Sequence, residues 1–141
     1  MRLIKFLRII FICVFISSNS FAKTNYFNEG LVLFEQKKFT KAKFKFEQDL
    51  VFNPKSEKSY LYLAKIFNIQ KKKDLEEDNL NVVILLNPKN EEAIYSLAKL
   101  KLEESDYAES KKLINKLLLF CNGYCQKTKK LKIEVENSEK K

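Results

Sequence analysis

"FNPKSEKSYLYLAKIF" (Phe52–Phe67) returns 34 residues later as "LNPKNEEAIYSLAKLK" (Leu86–Lys101). The offset holds residue by residue. Asn53-Pro54-Lys55 becomes Asn87-Pro88-Lys89, Glu57 becomes Glu91, and Leu63-Ala64-Lys65 becomes Leu97-Ala98-Lys99. A stretch repeated at a fixed period of this length marks a stack of small supersecondary units. Each unit can bury its apolar face only against its neighbours.

Outside the repeat the chain is short and unusual in composition. It has 141 residues, 27 basic and 18 acidic, with 2 Gly, 2 Pro, no His and no Trp. Its length suits one small domain. Scarce Gly and Pro agree with nearly continuous helix, and so does the spacing of apolar residues. In "YFNEGLVLFEQKKF", Tyr26, Phe27, Gly30, Leu31, Leu33 and Phe34 recur at helical intervals. Further on, Leu97, Leu100 and Leu102 give way to Glu103-Glu104-Ser105-Asp106. The pattern resumes at Tyr107, Ile114, Leu117 and Leu118, which predicts helix, turn, helix. The abundance of Lys, Asn, Ile and Phe looks like that of an AT-rich bacterial genome.

The first segment, "MRLIKFLRIIFICVFISSNSFAK", reads as an export signal. Arg2, Lys5 and Arg8 precede the apolar run Ile9 to Ile16, and Ser20-Phe21-Ala22 offers a cut after Ala22. The run is about half of the roughly 20 residues a spanning helix needs. An uncut inner-membrane anchor is the alternative. Bulky Ile12 before Cys13 disfavours a lipid-modified start. Removal of residues 1–22 leaves 24 basic and 18 acidic residues, a net charge of +6, and a chain without Arg, His, Trp or Met. The expected location is the periplasm, or the medium if the protein is secreted.

Three gapless units align from these positions: Lys23–Ser56, Glu57–Asn90 and Glu91–Tyr124. The first helix of each has a small residue at its eighth position (Gly30, Ala64, Ala98) and a large one four residues earlier (Tyr26, Tyr60, Ile94). The second helix opens on an aromatic residue (Phe39, Tyr107), with a small residue three further on (Ala42, Ser110). Its core positions are Phe46, Leu80 and Ile114, then Leu50, Ile84 and Leu118. Pro54 and Pro88 close second helices, and Asn90 before Glu91-Glu92 is a good helix start. On these residues the chain resembles the tetratricopeptide repeat family. The middle unit departs from the pattern, with Lys73 in the aromatic slot and Glu76 in the small slot. A looser or shifted turn is expected there. Asp49 also stands where a small apolar residue is usual, and the third unit ends on Asn122-Gly123 instead of a proline.

The resemblance implies an all-α, right-handed superhelical stack of three helix–turn–helix units. A capping helix over about residues 125–136 would close it, and residues 137–141 would form a disordered tail. Within the cap, Leu131, Ile133 and Val135 are expected to pack inward, and six lysines lie between Lys127 and Lys141. Cys121 and Cys125 form a C-x3-C pair at the bend before the cap. A disulfide is the first expectation for an exported chain. Free thiols or a shared metal are the alternatives, although two thiolates without His make at most half a zinc site.

The implied function is holding another protein. In such arrays the first helices line a concave groove that receives a peptide or a partner helix. Carried over by position, the groove comprises Phe27, Leu31 and Phe34, then Leu61, Tyr62, Lys65 and Asn68, then Tyr95, Lys99 and Leu102. The carboxylate-clamp type needs Lys and Asn in the first unit, where this chain has Phe27 and Leu31, so capture of a tail carboxylate is not expected. The mixture of aromatic and lysine positions implies an envelope protein or peptide carrying apolar and acidic residues. A homodimer through the first-unit aromatics and a membrane-anchored assembly factor are the alternatives. Weak contact with an anionic membrane is also compatible with the charge.

Catalysis is not expected, and no cofactor or metal is implied. Without His the usual general base and metal ligand are missing. The carboxylate pairs fall in turns and at helix ends, and Gly30 and Gly123 are too far apart for a phosphate loop. Nucleic acid is a poor partner for an exported chain without Arg. Protein exported by a bacterial host is expected to begin at Lys23, as intact-mass measurement will show. A retained Met1 in the membrane fraction would establish the anchored form instead.

Overall fold

The computed structural model describes residues 25–140, so the expected signal over residues 1–22 lies outside them. Seven helices run through the described residues: α1 (Tyr26–Glu35), α2 (Phe39–Phe52), α3 (Glu57–Ile69), α4 (Lys73–Leu86), α5 (Glu91–Glu103), α6 (Tyr107–Leu118) and α7 (Cys125–Ser138). Second helices begin at residues 39, 73 and 107, and helices α3, α5 and α7 at residues 57, 91 and 125. Both series advance in steps of 34. Each helix packs against the next in sequence, so α1–α2, α3–α4 and α5–α6 are hairpins stacked in a row, with α7 over the end.

The turns inside the hairpins repeat as strictly as the helices. Lys37, Lys71 and Ser105, again 34 apart, have φ values of 59°, 59° and 63°. At each turn the left-handed residue donates its N–H to the carbonyl three residues back. The following residue donates to the carbonyl five back: Lys38 to Leu33, Lys72 to Phe67 and Asp106 to Lys101. These two bonds make a Schellman closure, which normally favours Gly at the left-handed position. The middle turn is therefore neither looser nor shifted. Lys73 and Glu76 change the side chains of that unit while the backbone closure fixes its register.

Hairpins close where the side chains between them are small. Gly30 is buried against Phe46, and a Cβ on it would stand 2.7 Å from the Phe46 ring. Ala64 and Ala98 are buried at the equivalent places, and Ser110 Oγ donates to the Ala98 carbonyl at 2.8 Å. Two apolar clusters result. One gathers Leu63, Ile66 and Phe67 of α3 with Ala42 and Phe46 of α2. The other joins the opposite side of α3, through Leu61 and Ala64, to Leu80, Val83, Leu97, Ile114, Leu117 and the cap. In α7 the inward residues are Thr128, Leu131 and Val135, while Ile133 is exposed. The expectation for Ile133 fails because spacings of three and four keep one helical face, and position 133 falls on the other. The cap also continues through Ser138, two residues beyond the expected end, with Glu139 paired to Lys111 of α6. Asn137 and Ser138 thus belong to the capping helix.

Polar residues tie the units together. Glu57 at the start of α3 accepts from the side chains of Asn87 (3.0 Å) and Asn90 (2.5 Å) in the next exit loop. Glu91 at the start of α5 does the same one unit on, accepting from the backbone N–H groups of Asn122 and Tyr124 at 2.8 Å each. Lys101 of α5, largely buried, reaches Glu77 of α4 at 2.6 Å and Glu104 at 3.0 Å. Asp49, buried at the end of α2, accepts from Ser59 of α3 (2.5 Å) and from Asn53 (2.9 Å). Burial pushes the Asp49 carboxyl up, but hydrogen bonds from Ser59, Ser56 and Asn53 outweigh it and hold the group below its ordinary value. Its stabilisation is in force above the unfolded value near 3.8 and is lost as pH falls through the lower folded one. The sulfurs of Cys121 and Cys125 lie at bonding distance, 2.05 Å, across the bend that leads into the cap.

Two kinds of substitution check this packing. Ala98→Leu is expected to cost about 1–3 kcal/mol by overfilling a close crossing. Lys71→Gly is expected to stabilise by up to about 1 kcal/mol, since relief of the left-handed backbone exceeds the added chain entropy. Urea melts measure both, and a neutral Ala98→Leu would place the crossing elsewhere.

Candidate functional site

The concave side carries one well-formed pocket, about 360 Å³ in volume, between α3 and α5. Helix α3 supplies Leu61, Ala64, Lys65 and Asn68, which lie on one face by their spacing of three and four. Helix α5 supplies Tyr95, Lys99 and Glu103 in the same way, with Ser96 and Leu100 beside them. Glu76 and Leu80 of α4 line it as well, and Phe34 and Ile69 complete the lining.

Of the ten groove positions expected from the sequence, six meet in this pocket: Phe34, Leu61, Lys65, Asn68, Tyr95 and Lys99. The other four do not line it. Phe27 and Tyr62 belong to an aromatic cluster between the first hairpin and α3. Tyr62 has Phe27, Phe34 and Phe46 around it, with ring centroids 5.7, 5.1 and 5.2 Å away. Leu102 packs on the larger apolar cluster. Leu31, one turn before Phe34 in α1, is half-buried. The first-unit aromatics are thus largely occupied within the molecule.

The lysines are less free than the sequence suggests. Lys65 Nζ is 2.9 Å from Glu92 and lies 4.5 Å from the centre of the Tyr62 ring. Lys99 Nζ is 3.8 Å from Glu103. Two lysines and two glutamates line the pocket, so it is charge-balanced instead of basic.

Glu76 is the pocket residue that the family pattern missed. It is 4 % exposed, and both carboxylate oxygens accept from Asn68 Nδ2, at 2.9 and 3.0 Å. Burial pushes its carboxyl up. The Asn68 hydrogen bond, Lys99 and Lys71 act against that, while Glu103 adds to it, and the group stays above its ordinary value. The signal was present in the sequence as the charged residue in a slot meant for a small one. Only the fold shows that its side chain finds Asn68, eight residues earlier on the partner helix.

No protein-family model matches the sequence, and no curated protein sequence matches it. Solved structures do resemble it. The first tetratricopeptide domain of Spaghetti (RPAP3), bound to the HSP90 peptide SRMEEVD, is 17% identical with a TM-score of 0.73; the match covers 82% of this chain and 91% of that one. The Yersinia enterocolitica type III secretion chaperone SycD, in complex with a peptide of the translocator YopD, is 14% identical with a TM-score of 0.74, over 88% and 98% of the two chains. The Sgt2 tetratricopeptide domain from Aspergillus fumigatus is 17% identical with a TM-score of 0.70, over 86% and 87%. The chain has the tetratricopeptide-repeat fold.

Glu76 gives a test with a definite sign. A carboxyl raised by the fold binds its proton more tightly there, so its penalty is full above the folded value and vanishes below the unfolded value near 4.5. Glu76→Gln keeps an acceptor for Asn68 and removes the charge. Its melting temperature is expected to exceed that of the native chain at pH 7, with the difference closing as pH falls from the raised folded value toward about 4.5. A gain that persists unchanged at pH 4 would show that charge burial is not its origin.

Proposed function

We propose that the chain is a periplasmic adaptor that holds a peptide or helix of another envelope protein against α3 and α5. The observation that carries this is the concave pocket, where Leu61, Leu80, Leu100 and Phe34 make apolar walls and Tyr95, Asn68 and Ser96 offer polar groups. A pocket of this make-up accepts an apolar anchor and fixes its orientation with a few hydrogen bonds. The peptides held by RPAP3 and SycD, which share the fold, support a binding role for this chain. A periplasmic setting is supported by the signal-like first segment and by the Cys121–Cys125 pair.

Acidic residues of the partner would compete with Glu92 and Glu103 for Lys65 and Lys99. Charge would therefore guide approach and orientation, and apolar contact would supply most of the affinity. Self-association through the first-unit aromatics draws less support, because Phe27 and Phe34 are already packed against Tyr62.

Purified protein is to be used to capture partners from envelope extracts, beside a Tyr95→Ala variant. The partner so identified is expected to leave the variant at least about tenfold faster, as loss of a central aromatic anchor implies. Equal capture and equal off-rates would remove the concave face from consideration as the binding surface.

A further inference from the structure

Among the described residues, the most exposed large apolar side chains sit at one repeat position. Val51, Leu85 and Leu119 are 34 residues apart and are 77 %, 80 % and 86 % exposed. Val51 and Leu85 lie in the last turns of α2 and α4, and Leu119 directly follows α6. Equivalent positions of stacked hairpins share one edge, so the three form a row along the edge where second helices end. Phe52, 61 % exposed, extends the row. The ring of Tyr26 stacks on Phe52 with centroids 5.6 Å apart, so the chain enters the fold at this same edge.

The charges on this edge that no partner holds are positive. Lys55 and Lys89, at equivalent positions just beyond Pro54 and Pro88, are exposed, and among the described residues no ion pair involves either. The acids of the edge are buried or already held, Glu29 by Lys45 and Glu47 by Lys43. Glu57 and Glu91 hold the exit loops, Glu92 holds Lys65, and Asp49 is buried. A row of bare apolar side chains beside unneutralised lysines is the surface of a peripheral membrane contact: the apolar tips enter the headgroup boundary and the lysines meet anionic lipid. A second copy fits less well, since pairing the row with itself brings lysine toward lysine.

We propose that this edge, formed by Val51, Leu85, Leu119, Lys55 and Lys89, rests on an anionic lipid bilayer. No described helix is long and apolar enough to cross a membrane, so the contact is a resting one. It leaves the concave pocket free and does not depend on what that pocket binds.

The absence of tryptophan gives a direct test in the full chain. Leu85→Trp places a single reporter on the row, and Val51→Trp a second at the equivalent position. Leu75→Trp reports from the start of α4, at the opposite edge. With phosphatidylglycerol-containing vesicles, the row reporters are expected to shift to the blue and to be quenched by brominated lipid, and the Leu75→Trp reporter is not. Pure phosphatidylcholine vesicles should give neither effect. Lys55→Glu with Lys89→Glu should weaken partitioning at least about tenfold at low salt. The proposal is overturned if the chain sediments with vesicles while both row reporters stay unquenched, which would mean that the first segment alone holds it. It is equally overturned if all three reporters respond alike, if nothing binds, or if the row reporters shift with protein concentration in the absence of lipid, which would mark a second copy.

Discussion

The closeness with which two helices can cross within each hairpin governs the rest of this structure. Where the crossing residues are Gly30 opposite Phe46, or Ala98 opposite Ser110, the helices seal against each other. Where the second helix offers Glu76 instead, the space beside Ala64 takes a carboxylate, its Asn68 partner and the lining of a pocket. One substituted position thus converts a packing contact into a cavity feature. It also explains why the pocket falls in the middle of the array. A buried carboxylate without a cation in direct contact weakens the fold, and such costs are commonly retained where a binding surface needs them.

Most of the architecture could be read from the chain because its period is unbroken. The helix starts, the small residues at the crossings and the Asn90 cap, whose Oδ1 accepts from Ala93 N–H at 2.8 Å, all follow from aligned positions. Three things could not be read. Left-handed residues at the hairpin turns were hidden because Lys and Ser stand where Gly would announce them. The grip of Glu57 and Glu91 on loops some thirty residues away was hidden because each also makes sense as an acid at a helix start. The true lining of the groove was hidden because a repeat position says which face a residue is on, not whether a neighbour has already covered it. Phe27 and Tyr62 face the expected side and are spent on each other.

Exit loops show how a repeat tolerates a missing element. After α2 and α4 the chain leaves through Asn-Pro-Lys, where proline limits the backbone. After α6 there is no proline, and the sequence Cys-Asn-Gly-Tyr-Cys is bridged by its own sulfurs and held by Glu91. Stiffness that the first two loops take from a ring comes in the third from a cross-link. The row of exposed side chains at Val51, Leu85 and Leu119 runs past all three of these loops, so the restraint also fixes the spacing of the row.

Helix α3 has a further consequence for how the molecule breathes. It is the helix through which the two apolar clusters are linked, burying Leu63, Ile66 and Phe67 toward one and Leu61 and Ala64 toward the other. Helix α1, by contrast, buries only Gly30. In a linear array each unit is held by its neighbours, so opening proceeds inward from the ends. The amide protons of α1 therefore exchange through small, frequent fluctuations. Those of α3 are released only when the molecule comes apart as a whole, and the pocket wall built on α3 stays rigid while the end of the array frays.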